Sequence, residues 1–372
     1  MKSDSAAPYL LLRQAIRRDE DLGVQEAIRL ARQAVIDWPD LFVLSQNHEI
    51  LPQVYKLLKR MPAEVVPAMV LEQFQAAHRQ VAVEQMAMVA AFLQVRQHLE
   101  QEGIMAIPFK GFWLAHSAYA QIADRECADI DLFIQKSDFR GMCRVMTALG
   151  YLPPENLRKL PEAAVFRRHG DFSFDKTADG KRLFHFEFHW NLGNFKYSMD
   201  IGMPELISQV EKQSFQGNQM AVFSPSANLL LAALHHGGKD AWLKLKQVLD
   251  IAGLLTFHGP ELDWHWILSE ARRLGAEAVV LSGLGLAAVL CGLSLPADLE
   301  KSVAAPKIQR LVADRMHYLE KPTAYWESGY YLNRLVFHLR SRDHFLDKWR
   351  MGWAFLLGVF QQKIDQWKVP KG

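Results

Sequence analysis

The chain has 372 residues, half of them hydrophobic, with 43 basic against 41 acidic side chains and a formal net charge of +2. This length is a soft prior for two or three domains with a sizeable core. The near balance of charge argues against a dedicated nucleic-acid-binding surface, which would show a basic stripe. Three cysteines, Cys127, Cys143 and Cys291, have no metal-binding spacing and suit a reducing compartment without a disulfide framework. The short apolar start runs into Arg17-Arg18 and a group of acids, which does not read as a signal peptide. No stretch is long and apolar enough to span a bilayer, so a cytoplasmic protein without a transmembrane segment is expected.

Residues 1–103 read as helix. Apolar residues at three- and four-residue spacing predict helices over 7–18, 25–36, 39–44, 51–59 and 66–102. On the last of these, Leu71, Phe74, Val81, Met88, Phe92, Val95 and Leu99 mark a buried stripe, and Met86 and Met88 read as core filling. His48 reads as a packed or capping residue rather than one that touches substrate.

Residues 104–109 predict a strand. Gly111 then allows a turn into a helix over 112–120. A helix N-terminus beside Lys110 offers free N–H groups and a favourable dipole to an anionic phosphate; the plainer account is an ordinary turn with a surface lysine. The acidic segment that follows favours the phosphate. Over a strand at 127–135, Asp129 and Asp131 point to one face and Ile130, Leu132 and Ile134 to the other, into a core. Two adjacent carboxylates repel, and a hard divalent cation such as Mg²⁺ removes that conflict. Arg125, just upstream, either pairs with one of these acids or reaches a phosphate. A helix over 137–149 has Ser137 as its cap and Gly150 as its stop.

Residues 172–176 and 183–190 read as a hairpin around the turn at 177–180. On its second strand Phe184, Phe186, Phe188 and Trp190 share a buried face, and Leu183, His185, Glu187 and His189 share the other. Glu187 can then lie beside Asp129 and Asp131 in one sheet. Two strand-borne aspartates with a third acid on a neighbouring strand form the ligand set of a two-metal nucleotidyl-transfer site. Hard metals prefer carboxylates to imidazoles, so His189 is read as supporting the acids or touching substrate, and His185 as structural. Beyond 196 the pattern is helical again, over 226–236, 240–257, 264–274 and 276–293, with Ser224 or Ser226 as a cap. Asp250, inside an apolar helix, reads as a buried, hydrogen-bonded structural acid. Residues 349–360, WRMGWAFLLGVF, read as a core helix, with a surface amphipathic helix or partner interface as the alternatives.

Lys110-Gly111, a helix, then Arg125 with Asp129-Ile130-Asp131-Leu132, and a later strand ending in His189-Trp190 resemble the uncharacterised nucleotidyltransferase family of the DNA polymerase β-like superfamily. The likeness extends to residues 45–52 on one flank. On the other it extends to Leu234-His235-His236, Lys239 and residues 248–251, and it runs roughly to Leu293. The wider superfamily carries Gly-Ser where Lys110-Gly111 stands, and the family often has Pro and Met at Glu126 and Cys127. The resemblance implies an α+β fold: a small mixed β-sheet nucleotidyltransferase core over 104–195, between helical regions at 1–103 and 196–372. It implies an Mg²⁺-dependent enzyme, with two ions, that moves a nucleoside monophosphate from an NTP to a hydroxyl-bearing acceptor and releases pyrophosphate. Asp129, Asp131 and Glu187 would be catalytic and metal-binding. Lys110, Gly111, Arg125, His189, His235 and Lys239 would bind substrate, the last two because the family's corresponding block closes over the nucleotide. For Lys239, a helix C-terminus that favours basic residues is the plainer account.

No residue names the acceptor. A toxin-type enzyme acting on RNA or protein shares the same three acids. A non-catalytic binding protein on this fold is a further reading. The last is a metallohydrolase built on His185, His189, His235 and His236, which lacks compact metal-binding spacing.

Overall fold

Capping residues set where the first helices begin. The computed structural model describes residues 7–168, 170–191, 201–320, 329–342 and 348. It opens with α1 (Ala7–Ala15), α2 (Glu20–Gln33), α3 (Trp38–Asn47), α4 (Leu51–Arg60) and α5 (Ala68–Gln101). The Asp19 and Asp37 carboxylates accept from Leu22 N and Asp40 N. These N-caps start α2 and α3 earlier than apolar spacing predicts. At 34 residues, α5 is the longest helix described, about 50 Å at 1.5 Å per residue. Phe74 near its start joins one core, and Met88, Phe92, Val95 and Leu99 near its end join another. Met86, expected in the core, is 61% exposed. It lies two residues from Met88, which is roughly 200° around the helix and therefore on the opposite face.

A four-stranded mixed sheet in the order β1-β2-β4-β3 forms the centre, from β1 (Ile107–Pro108), β2 (Ile130–Phe133), β3 (Asp171–Ala178) and β4 (Lys181–His189). β1 is shorter than its sequence suggests, and Pro108 lacks the N–H that extends a ladder. Between the strands lie α6 (Gly111–Ala118), α7 (Phe139–Ala148), α8 (Glu155–Arg158) and α9 (Glu162–Arg168). Ser137 does not cap α7: it sits in a 3-10 turn, and its hydroxyl donates to Asp138 Oδ1 at 3.3 Å. Gly150, with φ +80°, ends that helix as expected.

The β3–β4 turn carries positive φ at Asp179 and Gly180, the type I′ geometry that matches strand twist. After α10 (Met203–Leu206), a second hairpin of β5 (Val210–Phe215) and β6 (Asn218–Phe223) uses the same geometry at Gln216-Gly217. This hairpin falls inside the region 196–372 read from sequence as helical, in a stretch to which no individual helix is assigned. Phe215, Met220 and Val222 pack with the aromatic face of the main sheet, so the packing of the sheet continues past residue 195.

The chain closes with α11 (Pro225–His236), α12 (Leu245–His258), α13 (Trp264–Arg273), α14 (Glu277–Cys291), α15 (Ala297–Val303), α16 (Pro306–Leu319) and α17 (Gly329–Ser341). Ser224 caps α11, accepting from Ala227 N at 3.2 Å, while the Ser226 hydroxyl accepts from Asp263 N at 2.8 Å. The helix expected from residue 240 begins at Leu245, because Ala241 and Trp242 both take positive φ. That turn folds the Trp242 indole onto α14, where a Cβ on Gly283 would lie 2.4 Å from the ring. The first and last helices share one core: Leu12, Leu41 and Leu58 cluster with Leu230, Trp242 and Leu284. Residues 349–360 lie outside the described residues. Among those described, no helix is long and apolar enough to cross a membrane.

Candidate active site

Strand alternation brings the polar groups of two strands together. β2 pairs with β4 in parallel, and Asp131 stands opposite Glu187. Ile130, Leu132, Phe186 and Phe188 are fully buried on the other face and lock this register, since a one-residue slip would turn those aromatics outward. β2 covers only Ile130–Phe133, so Asp129 lies just before the strand while Asp131 lies within it.

Around Asp131 the charges are tightly paired. Lys110 Nζ is 2.6 Å and His189 Nε2 is 3.0 Å from Asp131 Oδ1. His189 Nε2 is also 3.4 Å from Glu187 Oε2, and its ring meets Phe109 edge-on at 5.0 Å. His185 Nδ1 lies 2.6 Å from Asp175 Oδ1, and its Nε2 lies 3.2 Å from Glu187 Oε1. Its hydrogen bond to Glu187, helped by Asp175 against burial, raises the His185 pKa to about 9. His185 is therefore an imidazolium at neutral pH and donates from both nitrogens.

Burial pushes the Glu187 carboxyl up. Hydrogen bonds from His185 and His189, with the charges of His189 and Lys110, outweigh it and hold the group well below the usual range. Burial acts on Asp131 in the same direction, and Lys110 and His189 reverse it, leaving its pKa lowered. Burial disfavours the Lys110 ammonium, but Asp131, Asp129 and Glu187 together raise its pKa. Asp129 goes the other way: the charge of Asp131, then burial, raises it.

Among the described residues, Asp131, Glu187 and His189 form a group whose ligand atoms all lie within 4.8 Å of one another. Asp129 borders this group without belonging to it. His235 is held well below its ordinary pKa by burial and then by the charges of Lys110, Lys239, His236 and His189. It is therefore neutral and faces the same region. Lys239 is exposed, three residues beyond the end of α11.

Arg125 is committed elsewhere. Its Nε and Nη2 each lie 2.8 Å from the Asp250 carboxylate, and Nη1 donates to Gly111 O at 3.0 Å. The structure thus pairs Arg125 with Asp250 rather than with Asp129, Asp131 or a surface where a phosphate could reach it. Asp250, fully buried, also accepts from Tyr119 Oη at 2.7 Å and lies 2.8 Å from His236 Nε2. His48 is a packed residue, 3% exposed, with its Nδ1 accepting from Leu245 N.

Two participants escape sequence reasoning. Asp175 stands opposite His185 only because of a bulge between Lys176 and Thr177; a simple two-residue hairpin would oppose it to Phe184. Tyr119 sits at the end of α6 with no motif to mark it.

Gly111 has φ +51°, and a Cβ there would lie 2.7 Å from Asp129 O. Gly111→Ala is expected to cost about 1–3 kcal/mol in backbone strain and to displace the Asp129 backbone. Denaturant unfolding measures the cost, and an alanine variant as stable as the parent would mean that this turn relaxes freely.

Residues 34–292, from α3 to the end of α14, match a family model described as uncharacterised nucleotidyltransferase. No curated protein matches the chain.

Proposed function

The chain belongs to the uncharacterised nucleotidyltransferase family, and from that premise we propose that it transfers a nucleoside monophosphate from an NTP to a hydroxyl-bearing acceptor, with pyrophosphate as the second product. The observation that carries this reading is the pairing of Asp131 with Glu187 across parallel strands, with Asp129 at the strand's entrance. The donor set fits a divalent metal: two carboxylates and an imidazole lie within 4.8 Å, and a third carboxylate is destabilised by its neighbour's charge. Asp129, Asp131 and Glu187 would hold Mg²⁺, with two ions expected. Bound there, the metal would neutralise the triphosphate and acidify the acceptor hydroxyl.

The chain's own groups set the stage for an in-line displacement by positioning and charge. His185, tied to Asp175, fixes one Glu187 oxygen, and His189 bridges the other to Asp131. Lys110, now on Asp131, is close enough to the acidic pair to exchange that partner for a phosphate oxygen. Neutral His235 and exposed Lys239 would meet the nucleotide from the α11 side. Arg125 would act through Gly111 rather than by touching substrate.

Glu187→Gln tests the division of labour. Glutamine keeps the shape but removes the charge that the two histidines orient. NTP affinity by calorimetry should change less than about threefold, while pyrophosphate release in the presence of acceptor should fall on the order of 10²-fold or more. Normal turnover at saturation with a large loss of NTP affinity would reverse the assignment.

A further inference from the structure

Asp131, Glu187 and His189 project from one face of the β2–β4 pair. Asp131 stands opposite Glu187, and His189, two residues on, stands opposite Phe133. Alternate residues of a strand share a face, so His189 is the diagonal neighbour of Asp131. His189 and Asp131 are the more buried members of the group and Glu187 the more open one. Phe109, edge-on at 5.0 Å, holds the plane of the imidazole.

One atom of that ring faces both acids. His189 Nε2 is 3.0 Å from Asp131 Oδ1 and 3.4 Å from Glu187 Oε2. As a donor it has one hydrogen for two acceptors on different strands, and the longer of these spacings exceeds a good N–H···O bond. The two spacings also match the edges of a coordination shell. Ligand atoms about 2.1 Å from a shared ion stand ~3.0 Å apart at an octahedral edge and ~3.4 Å apart at a tetrahedral one. The ligand atoms of the group all lie within 4.8 Å of one another, so all three residues can bond to one ion. Asp129 lies outside the group and offers its oxygens to the second expected ion.

The nitrogen decides which ion suits the group. Mg²⁺ takes hard oxygen donors and gives up water reluctantly. Divalent first-row transition ions accept imidazole nitrogen beside carboxylate oxygen. We propose that His189 bonds directly to a metal ion, together with Asp131 and Glu187, and makes that position selective for a divalent transition ion such as Mn²⁺ over Mg²⁺. The proposal rests on the reading of the site as a metal-dependent transferase and names the ion that this site takes.

Mn²⁺ serves as its own probe. Pulsed electron paramagnetic resonance on the full chain, with Mn²⁺ and a non-hydrolysable NTP, reads the nitrogen coupling of a directly bound imidazole. The parent should show that coupling, and His189→Gln should lose it. Calorimetry should find Mn²⁺ bound at least tenfold tighter than Mg²⁺ in the parent, and this ratio should fall at least tenfold in His189→Asp, where a carboxylate replaces the nitrogen. His185, the other imidazole beside Glu187, has both nitrogens on carboxylates, so the loss in His189→Gln assigns the coupling to His189. Four results overturn the proposal: no Mn²⁺ binding, bound Mn²⁺ without nitrogen coupling, coupling unchanged in His189→Gln, or the same ion preference in the parent and His189→Asp. Pyrophosphate release by a parent that shows no coupling removes this inference and keeps the transferase reading. Coupling in a parent that transfers nothing does the reverse. Should His189→Asp fail to fold, the coupling in the parent and in His189→Gln still decides.

Discussion

Asp131→Asn and Asp129→Asn should both lose nucleotidyl transfer, on the order of 10³-fold or more for a residue central to charge stabilisation, yet they should move stability in opposite directions. Repulsion between two carboxylates, taken alone, predicts a gain in both. Lys110 breaks that symmetry. Its ammonium is buried and lies 2.6 Å from Asp131, so Asp131→Asn leaves a buried cation facing an amide. Removing one partner of a buried ion pair costs about 3–5 kcal/mol; Asp129 and Glu187 remain near Lys110, so the lower end is expected.

Asp129 has a raised pKa, caused first by Asp131. A group whose folded pKa is raised adds stability below its unfolded value and loses it as pH rises through the folded value. At neutral pH the Asp129 charge therefore opposes folding, and Asp129→Asn should match or exceed the parent in denaturant midpoint. The check is a pair of unfolding curves at pH 7 beside a pyrophosphate-release assay with Mg²⁺. Full activity in both variants would falsify the site, and equal stability changes would remove the distinct role given to Lys110.

What the sequence makes legible here follows from periodicity. The two-residue repeat at 183–190 separates Phe186 and Phe188 from Glu187 and His189, and that alone assigns both faces of β4. The same logic sends Ile130 and Leu132 inward and Asp131 to the polar face. Local spacing cannot show which strand lies beside which; that the Asp131–Glu187 pairing is parallel depends on the crossover through α7 to β3. Nor can it show where charges end. Lys110, Arg125 and Asp250 all carry recognisable positions, but their partners lie 21, 125 and 125 residues away, and only tertiary packing selects them. The β5–β6 hairpin is hidden for another reason. Gln216-Gly217 is a weaker I′ signal than Asp179-Gly180, because Asp tolerates the left-handed region better than Gln.

The same argument from partners gives the largest expected loss of stability. Asp250→Ala should destabilise the protein by about 3–5 kcal/mol, the range for stranding one member of a buried ion pair. Asp250 is 0% exposed and receives both arms of Arg125, the Tyr119 hydroxyl and His236. Burial pushes its carboxyl up, but Arg125's charge and hydrogen bonds, then those of His236, hold it well below the usual range. Its contribution is therefore present above the unfolded value and is lost as pH falls through the folded one.

Tyr119→Phe removes a single hydrogen bond to this carboxylate and should cost about 1.5–3 kcal/mol. In the double variant Arg125→Met/Asp250→Leu neither charge is left unpaired, and the loss should fall well short of the sum of the two single changes. Arg125 also donates to Gly111 O, so Asp250→Ala should loosen the turn that presents Lys110. Transfer should then fall further than the unfolded fraction accounts for. The decisive measurements are denaturant midpoints for these variants and for the single changes Arg125→Met and Asp250→Leu, and NTP affinity for Asp250→Ala under conditions where it is folded. A loss below about 1 kcal/mol, or strict additivity between Arg125 and Asp250, would mean that the fold does not depend on this pair.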